Sequence, residues 1–116
     1  MHNSGHWTIE GAVCSQFENH LRAVLGLPLG DASARGPSVM LNWIGELPDA
    51  TAILREPDAH WHDYGKSARA GRKVGHATVC ARSAPELSER LGRIAAALGR
   101  ETQIEPVRAA LAASAR

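Results

Sequence analysis

Only three short stretches of this chain have strand character, and that limits the fold more than any other feature. Val39–Ile44 is an apolar run closed by Gly45, His60–Tyr64 alternates in polarity, and Lys73–Cys80 is β-rich. A sheet of about three strands is marginal alone, so its faces must be covered by helices or by further strands. Two serine–glutamate pairs mark where the main helices start. Ser15 with Glu18 and Ser83 with Glu86 have the capping-box spacing, in which each side chain can satisfy an orphan backbone donor. After the first, Phe17, Leu21, Val24 and Leu25 share one helical face until Gly26 and Pro28 stop the helix. After the second, Leu87, Leu91, Ile94 and Leu98 form an amphipathic face ending near Gly99.

Between these lie a polar loop over residues 30–37 and one or two helical turns from Asp49 to Arg55. A hairpin joins the last two strands around a basic loop. The order helix, strand, short helix, two strands, helix predicts an α+β fold with a small, mainly antiparallel sheet and flanking helices. Val39, Leu41 and Ile44 are the expected core residues of the first strand, and Asn42 is expected to brace the sheet through a hydrogen-bond partner. The Ala- and Arg-rich tail, 101–116, is expected to form a short helix from Pro106 or to stay loose.

Composition excludes several functions. Hydrophobic residues make up 44% of the chain, which suits a packed core, but aromatics only 4%, so aliphatic side chains must fill it. A formal charge of +1 gives no global field for nucleic acid or membrane surfaces. The sequence has no apolar leader and no run near the roughly 20 residues of a membrane span. Cys14 and Cys80 are far apart and read as two buried free thiols in a reducing compartment, so the expected location is the cytoplasm.

Chemistry concentrates in two places. His2-Asn3-Ser4-Gly5-His6-Trp7-Thr8 packs two imidazoles, an amide and two hydroxyls ahead of any hydrophobic periodicity. Asn3 can offer its carbonyl oxygen to a hard cation and its amide to a phosphate oxygen. Read alone, this run is a polar loop leading into the helix at Ser15. The second place is Tyr64-Gly65-Lys66-Ser67-Ala68-Arg69-Ala70-Gly71-Arg72-Lys73-Val74-Gly75-His76, with four cations in residues 66–73 and no acid. Charge-assisted donors on a glycine-punctuated loop suit a phosphate, although a solvated basic turn has the same composition. His60 and His62 alternate as zinc ligands sometimes do, and His2, His6 or His76 could join them. With no cysteine pair and no third ligand at close spacing, however, zinc is not expected. No glycine pattern of a nucleophile elbow supports a hydrolase.

The two runs, with Ser15–Val24 and Pro37-Ser38-Val39-Met40-Leu41-Asn42-Trp43-Ile44-Gly45, resemble the carboxyaminoimidazole ribonucleotide synthetase family of ATP-grasp ligases, in the family's own order. There the opening reads Arg-Pro-His-Asn-Ser-Gly-His-Trp-Thr, with proline where this chain has Met1. The basic loop reads Arg-Pro-Gly-Arg-Lys-Val-Gly-His, with proline where this chain has Ala70. The resemblance covers roughly residues 2–80. It implies a C-terminal piece of the ligase, with 1–14 closing the ATP-grasp domain, 15–100 forming a C-terminal α+β domain, and 101–116 a tail.

The implied enzyme uses ATP and magnesium to phosphorylate bicarbonate, then carboxylates the exocyclic amine of aminoimidazole ribonucleotide. Its partners are those small molecules and a second copy of itself in a homodimer, with no nucleic acid and no membrane. By the resemblance, His2, Asn3 and Ser4 are catalytic and Asn3 is a magnesium neighbour. Lys66, Arg72 and Lys73 hold the substrate phosphate, and the chain alone, lacking the nucleotide lobes, is expected to be inactive. Two alternatives stand beside this reading. One is a sister ATP-grasp ribonucleotide transformylase, in which Asp-Thr follows the histidine. The other is a non-catalytic module binding phosphorylated ligands or RNA through the basic loop, against which the lack of interleaved aromatics counts.

Overall fold

A computed structural model describes residues 3–114. Its elements are α1 (Thr8–Gly11), α2 (Gln16–Val24), β1 (Ser38–Ile44), α3 (Ala50–Leu54), β2 (Ala59–Asp63), β3 (Lys73–Cys80), α4 (Ala84–Leu98) and α5 (Glu101–Ser114). The fold is α+β, as the pattern predicts. Three antiparallel strands lie in the order β1-β3-β2, with β3, the most buried strand, at the centre.

Register sorts the residues into two chemically different faces. Val39, Val79 and Ala59 form one cross-strand row, and Leu41, Ala77 and Trp61 the next. Side chains alternate across a strand, so the intervening rows point the other way. These are Met40, Thr78 and His60, then Asn42, His76 and His62. The apolar rows pack against Leu87, Leu91 and Ile94 of α4, all fully buried, with Ile104 of α5 completing the core. The polar rows face the N-terminal segment.

Both helix starts form as the serine–glutamate spacing predicts: Ser15 accepts from the backbone N–H of Glu18, and Ser83 from that of Glu86. The two glutamates do not reach back. Glu18 pairs with Arg22 and Glu86 with Arg90, one helical turn on.

Several local expectations need correction. Trp43, not Ile44, continues the buried row of Val39 and Leu41; it is 2% exposed against 50% for Ile44. Alternation accounts for this: Trp43 is in phase with Val39 and Leu41, whereas Ile44 falls on the face of Met40 and Asn42, at the point where the pairing with β3 slips. The polar run ahead of Ser15 is not an open loop: Asn3–Gly5 forms a 3-10 turn and Thr8–Gly11 a short helix. The 30–37 loop is not free-standing. It runs antiparallel beside residues 11–14, with Val13 N–H donating to Ser33 O and Cys14 N–H to Asp31 O. The tail helix begins at Glu101 rather than Pro106. Burial of Ile104 against α4 draws the earlier turn into the helix despite the missing proline donor. Finally, among the described residues the apolar face of α2 is covered only at Phe17, which packs on His6 at 5.3 Å between ring centroids; Leu21, Val24 and Leu25 are 60–69% exposed.

Candidate functional site

The opening motif lies across the polar face of the sheet. Among the described residues, hydrogen bonds involving Asn3, His6 and Glu10 help to hold residues 3–10 there. Asn3 donates from Nδ2 to Oδ1 of Asn42 at 2.9 Å, which gives Asn42 its expected bracing partner. His6 Nδ1 lies 3.2 Å from the Tyr64 hydroxyl. Glu10 pairs through Oε1 with Nε2 of His62. Asn42, His76 and His62 form one cross-strand row, so these contacts anchor residues 3–10 to a single stripe of the sheet.

His76 is at the centre of that stripe and is 1% exposed. Its Nδ1 lies 2.8 Å from the Tyr64 hydroxyl, so the phenol bridges His6 and His76, donating to one ring and accepting from the other. The His62 ring stacks on His76 at 4.3 Å between centroids. Burial above all, with the nearby His62 and His6 rings, lowers the His76 pKa to about 4, so the ring is neutral at physiological pH. Burial also raises the Tyr64 pKa. Among the described residues, His76 Nε2, Thr78 Oγ1 and Glu10 Oε2 are buried without a hydrogen-bond partner. Such a concentration of unpaired polar atoms costs stability, and it marks this stripe as more than packing.

The basic loop is the tip of the β2–β3 hairpin. Tyr64 N–H pairs with Val74 O, and the loop then turns through Gly65 and Gly71, whose φ angles of +70° and +75° favour glycine. Lys66 places its ammonium 5.6 Å from the centroid of the Tyr64 ring. Arg72 folds back to donate to the Ser67 carbonyl and hydroxyl at 3.3 and 3.2 Å. The loop is tied to the end of β1, with Gly45 N–H donating to Arg72 O and Arg69 N–H to Gly45 O. Lys66 and Lys73 are exposed and Arg72 is half-buried. His76 lies three positions after Lys73, roughly 10 Å along a strand. The structure thus brings the opening motif and the hairpin tip to the same end of the sheet.

The predicted catalytic residues diverge. His2 lies outside the described residues. Asn3 turns toward the sheet, whereas Ser4 is exposed and lines a cavity of about 320 Å³ with Trp7, Ala34, Gly36, Ser38 and Met40. Sequence reasoning assigned no role to Glu10 or Tyr64 individually and weighed His76 only as a zinc ligand, which it did not expect. Alternation in His60–Tyr64 does place His62 and Tyr64 on one face, but only the β3 register shows that His76 lies between them. Cys80 is half-buried rather than buried, and both thiols are free. Burial, then the Asp58 and Glu10 carboxylates, pushes the Cys80 pKa up to about 11.

Comparison with known proteins agrees with the geometry. Residues 38–90 match the family described as phosphoribosylaminoimidazole carboxylase C-terminal domain. An N5-carboxyaminoimidazole ribonucleotide synthase of Pseudomonas aeruginosa is 54% identical over 96 residues, covering 83% of this chain and 27% of that protein. The N5-carboxyaminoimidazole ribonucleotide synthetase of Thermus thermophilus superposes with a TM-score of 0.79 at 58% identity, over 82% of this chain and 26% of that one. The Aspergillus clavatus synthase, solved with ADP and 5-aminoimidazole ribonucleotide, gives 0.76 at 43% identity, over 86% and 29%. The chain therefore spans about a quarter of the length of the relatives it matches. Similar in sequence along most of its length and in fold throughout that stretch, the chain belongs to the N5-carboxyaminoimidazole ribonucleotide synthase family and corresponds to the C-terminal portion of its members.

Proposed function

We propose that this chain supplies the ribonucleotide-binding end of an ATP-dependent ligase that carboxylates 5-aminoimidazole ribonucleotide. One observation carries the reading: Tyr64 joins the opening motif, through His6, to β3, the strand that leads out of the basic loop, through His76. The motif and the phosphate-type loop are therefore linked through a single hydroxyl. A substrate with a 5′-phosphate at one end and a reacting amine at the other needs two such fixed points. The substrate named for the Aspergillus clavatus relative has that form.

In this reading Lys66, Arg72 and Lys73 hold the 5′-phosphate. Asn3 and Ser4, with His2 ahead of them, orient the reacting end beside the 320 Å³ cavity. Residues 1–14 close the ATP-grasp domain and 15–100 form the C-terminal domain. ATP and magnesium supply the phosphoryl group that activates bicarbonate, together with its charge neutralisation. The fit of this chain to magnesium is narrow. Asn3 Nδ2 is committed to Asn42, which leaves only the neutral Oδ1 for a hard cation. The nucleotide and its metal are therefore held chiefly by residues outside this chain, and the chain alone is inactive. Two free thiols suit a cytoplasmic setting, and the reading includes a homodimer as its expected assembly.

The test is a chimera in which this chain replaces the matching segment of the Pseudomonas aeruginosa enzyme. Each charge-assisted donor to the phosphate is worth roughly 1.5–3 kcal/mol. Arg72→Ala should thus raise KM for aminoimidazole ribonucleotide by about ten- to a hundredfold, since 1.4 kcal/mol is tenfold, and leave KM for ATP nearly unchanged. Arg69→Ala, whose backbone rather than side chain ties the loop to Gly45, should matter less. Unchanged ribonucleotide KM in both variants would move the phosphate elsewhere.

A further inference from the structure

A second cluster lies at the opposite end of the sheet from the basic loop. Asp58, His60 and Cys80 each offer a ligand atom, and the three atoms lie within 4.8 Å of one another. Sheet register explains the grouping. Ala59 pairs with Val79, so Asp58 comes opposite Cys80, and the Cys80 N–H donates to the Asp58 carbonyl at 2.9 Å. His60, two residues after Asp58, returns to the same face. Its Nε2 lies 2.8 Å from Asp58 Oδ1.

An oxygen, a nitrogen and a sulfur make a borderline-soft donor set. Calcium and magnesium take six or more oxygens and do not fit it. Zinc takes such mixtures, with bonds of about 2.0–2.3 Å, which puts tetrahedral ligand atoms roughly 3.3–3.7 Å apart. To reach that spacing the widest separation, up to 4.8 Å, must close by roughly 1.1–1.5 Å and the 2.8 Å contact between His60 and Asp58 must open slightly.

The surroundings favour a cation. Asp58, Cys80 and Glu10 line one cavity of about 150 Å³, and Glu10 Oε2 is buried there with no partner among the described residues. Two arginines share the cavity wall but are directed elsewhere. Arg35 donates to the Ala12 and Val13 carbonyls, and Arg82 pairs with Glu86 at 3.8 Å. Arg90 is spent on the Cys80 carbonyl and Glu86. The side chains of His60 and Asp58 are 39% and 50% exposed, so the cluster is open to solvent and a metal can enter.

We infer that Asp58, His60 and Cys80 bind one zinc(II) ion, tying the start of β2 to the end of β3. Its fourth position faces the cavity that holds Glu10. On binding, the Cys80 thiol releases its proton to solvent and bonds the metal as thiolate. The site is independent of the phosphate loop and of the proposed ligase role.

The metal-free 116-residue chain is titrated with zinc by calorimetry and with cobalt(II) by absorption spectroscopy. One zinc per chain is expected, together with a near-ultraviolet thiolate-to-cobalt charge-transfer band. Losing an outer partner of a metal site typically costs 10–100-fold in affinity, so removing a direct ligand should cost at least about tenfold. Cys80→Ser should abolish the band, His60→Ala should weaken zinc by that amount, and Cys14→Ser should do neither. In the unmutated chain, zinc should slow alkylation of Cys80 but not of Cys14, a readout that needs no variant to fold. A cobalt spectrum without the thiolate band, or zinc that leaves Cys80 alkylation unchanged, overturns the assignment and reduces the cluster to a hydrogen-bonded pair beside a thiol.

Discussion

Acidification should weaken this protein through His76 before its carboxylates titrate. The folded-state pKa is about 4 and the ordinary value 6.5, because the ring is buried and faces His62 and His6. Tyr64 also touches it, and Glu10 reaches the group through His62. A depressed histidine pKa means that the unfolded chain binds more protons than the folded one between those two values. Stability from this group is therefore fully present above pH 6.5 and is lost as pH falls toward 4. With 1.36 kcal/mol per pKa unit, the fall from about pH 7 to 4.5 removes about 2–3 kcal/mol. That is a large share of the roughly 5–15 kcal/mol available to a domain. The paired carboxylates Glu18 and Asp31, whose pKa values are lowered, contribute their losses mainly below that range.

Urea unfolding followed by circular dichroism at half-unit pH steps measures the effect. His76→Gln keeps an amide for Tyr64 but cannot titrate. Its absolute stability is immaterial; its slope between about pH 6.5 and 4.5 should be nearly flat. Equal slopes in the two proteins, or a His76 imidazole resonance that titrates near the ordinary 6.5, would refute the argument.

Three further outcomes follow from packing. Leu91, fully buried between α4 and the sheet, should lose about 2–5 kcal/mol of stability as Leu91→Ala, seen as a lower urea midpoint at unchanged slope. A Cβ at Gly75 would collide with the His62 carbonyl oxygen. Gly75→Ala should therefore open the β2–β3 pairing beside the histidine stripe, costing about 1–3 kcal/mol, and hydrogen exchange should show lost protection there while α4 is spared. Leu21, Val24, Leu25, Leu27 and Leu29 are all more than half exposed, so the chain should bind a hydrophobic dye, and Val24→Glu with Leu25→Lys should remove most of that signal.

Much of the architecture can be read from local pattern. The caps at Ser15 and Ser83, the buried face of α4 and the hairpin around the basic loop all depend on residues within a turn or two of each other, where spacing alone carries the physics. Four residues at helical spacing make α4 amphipathic whatever surrounds it. The same pattern reads identically in α2, yet there most of the apolar face is exposed, because burial depends on what packs against a helix and not on its own spacing. The residue-level site was less legible. Spacing and family resemblance pointed to the opening motif and the basic loop, but not to their junction. That junction exists because β3 lies between β1 and β2, a pairing order that puts His76 between Asn42 and His62 and lowers its pKa by burial. Ile44 looked like core as part of an apolar run, but strand alternation puts Trp43 rather than Ile44 in phase with Val39 and Leu41. Asp58 and His60 are neighbours in sequence, but Cys80, twenty residues on, becomes their third partner only through strand register. Side-chain type and spacing are local properties; register, burial and the low dielectric that shifts a pKa come from the folded whole.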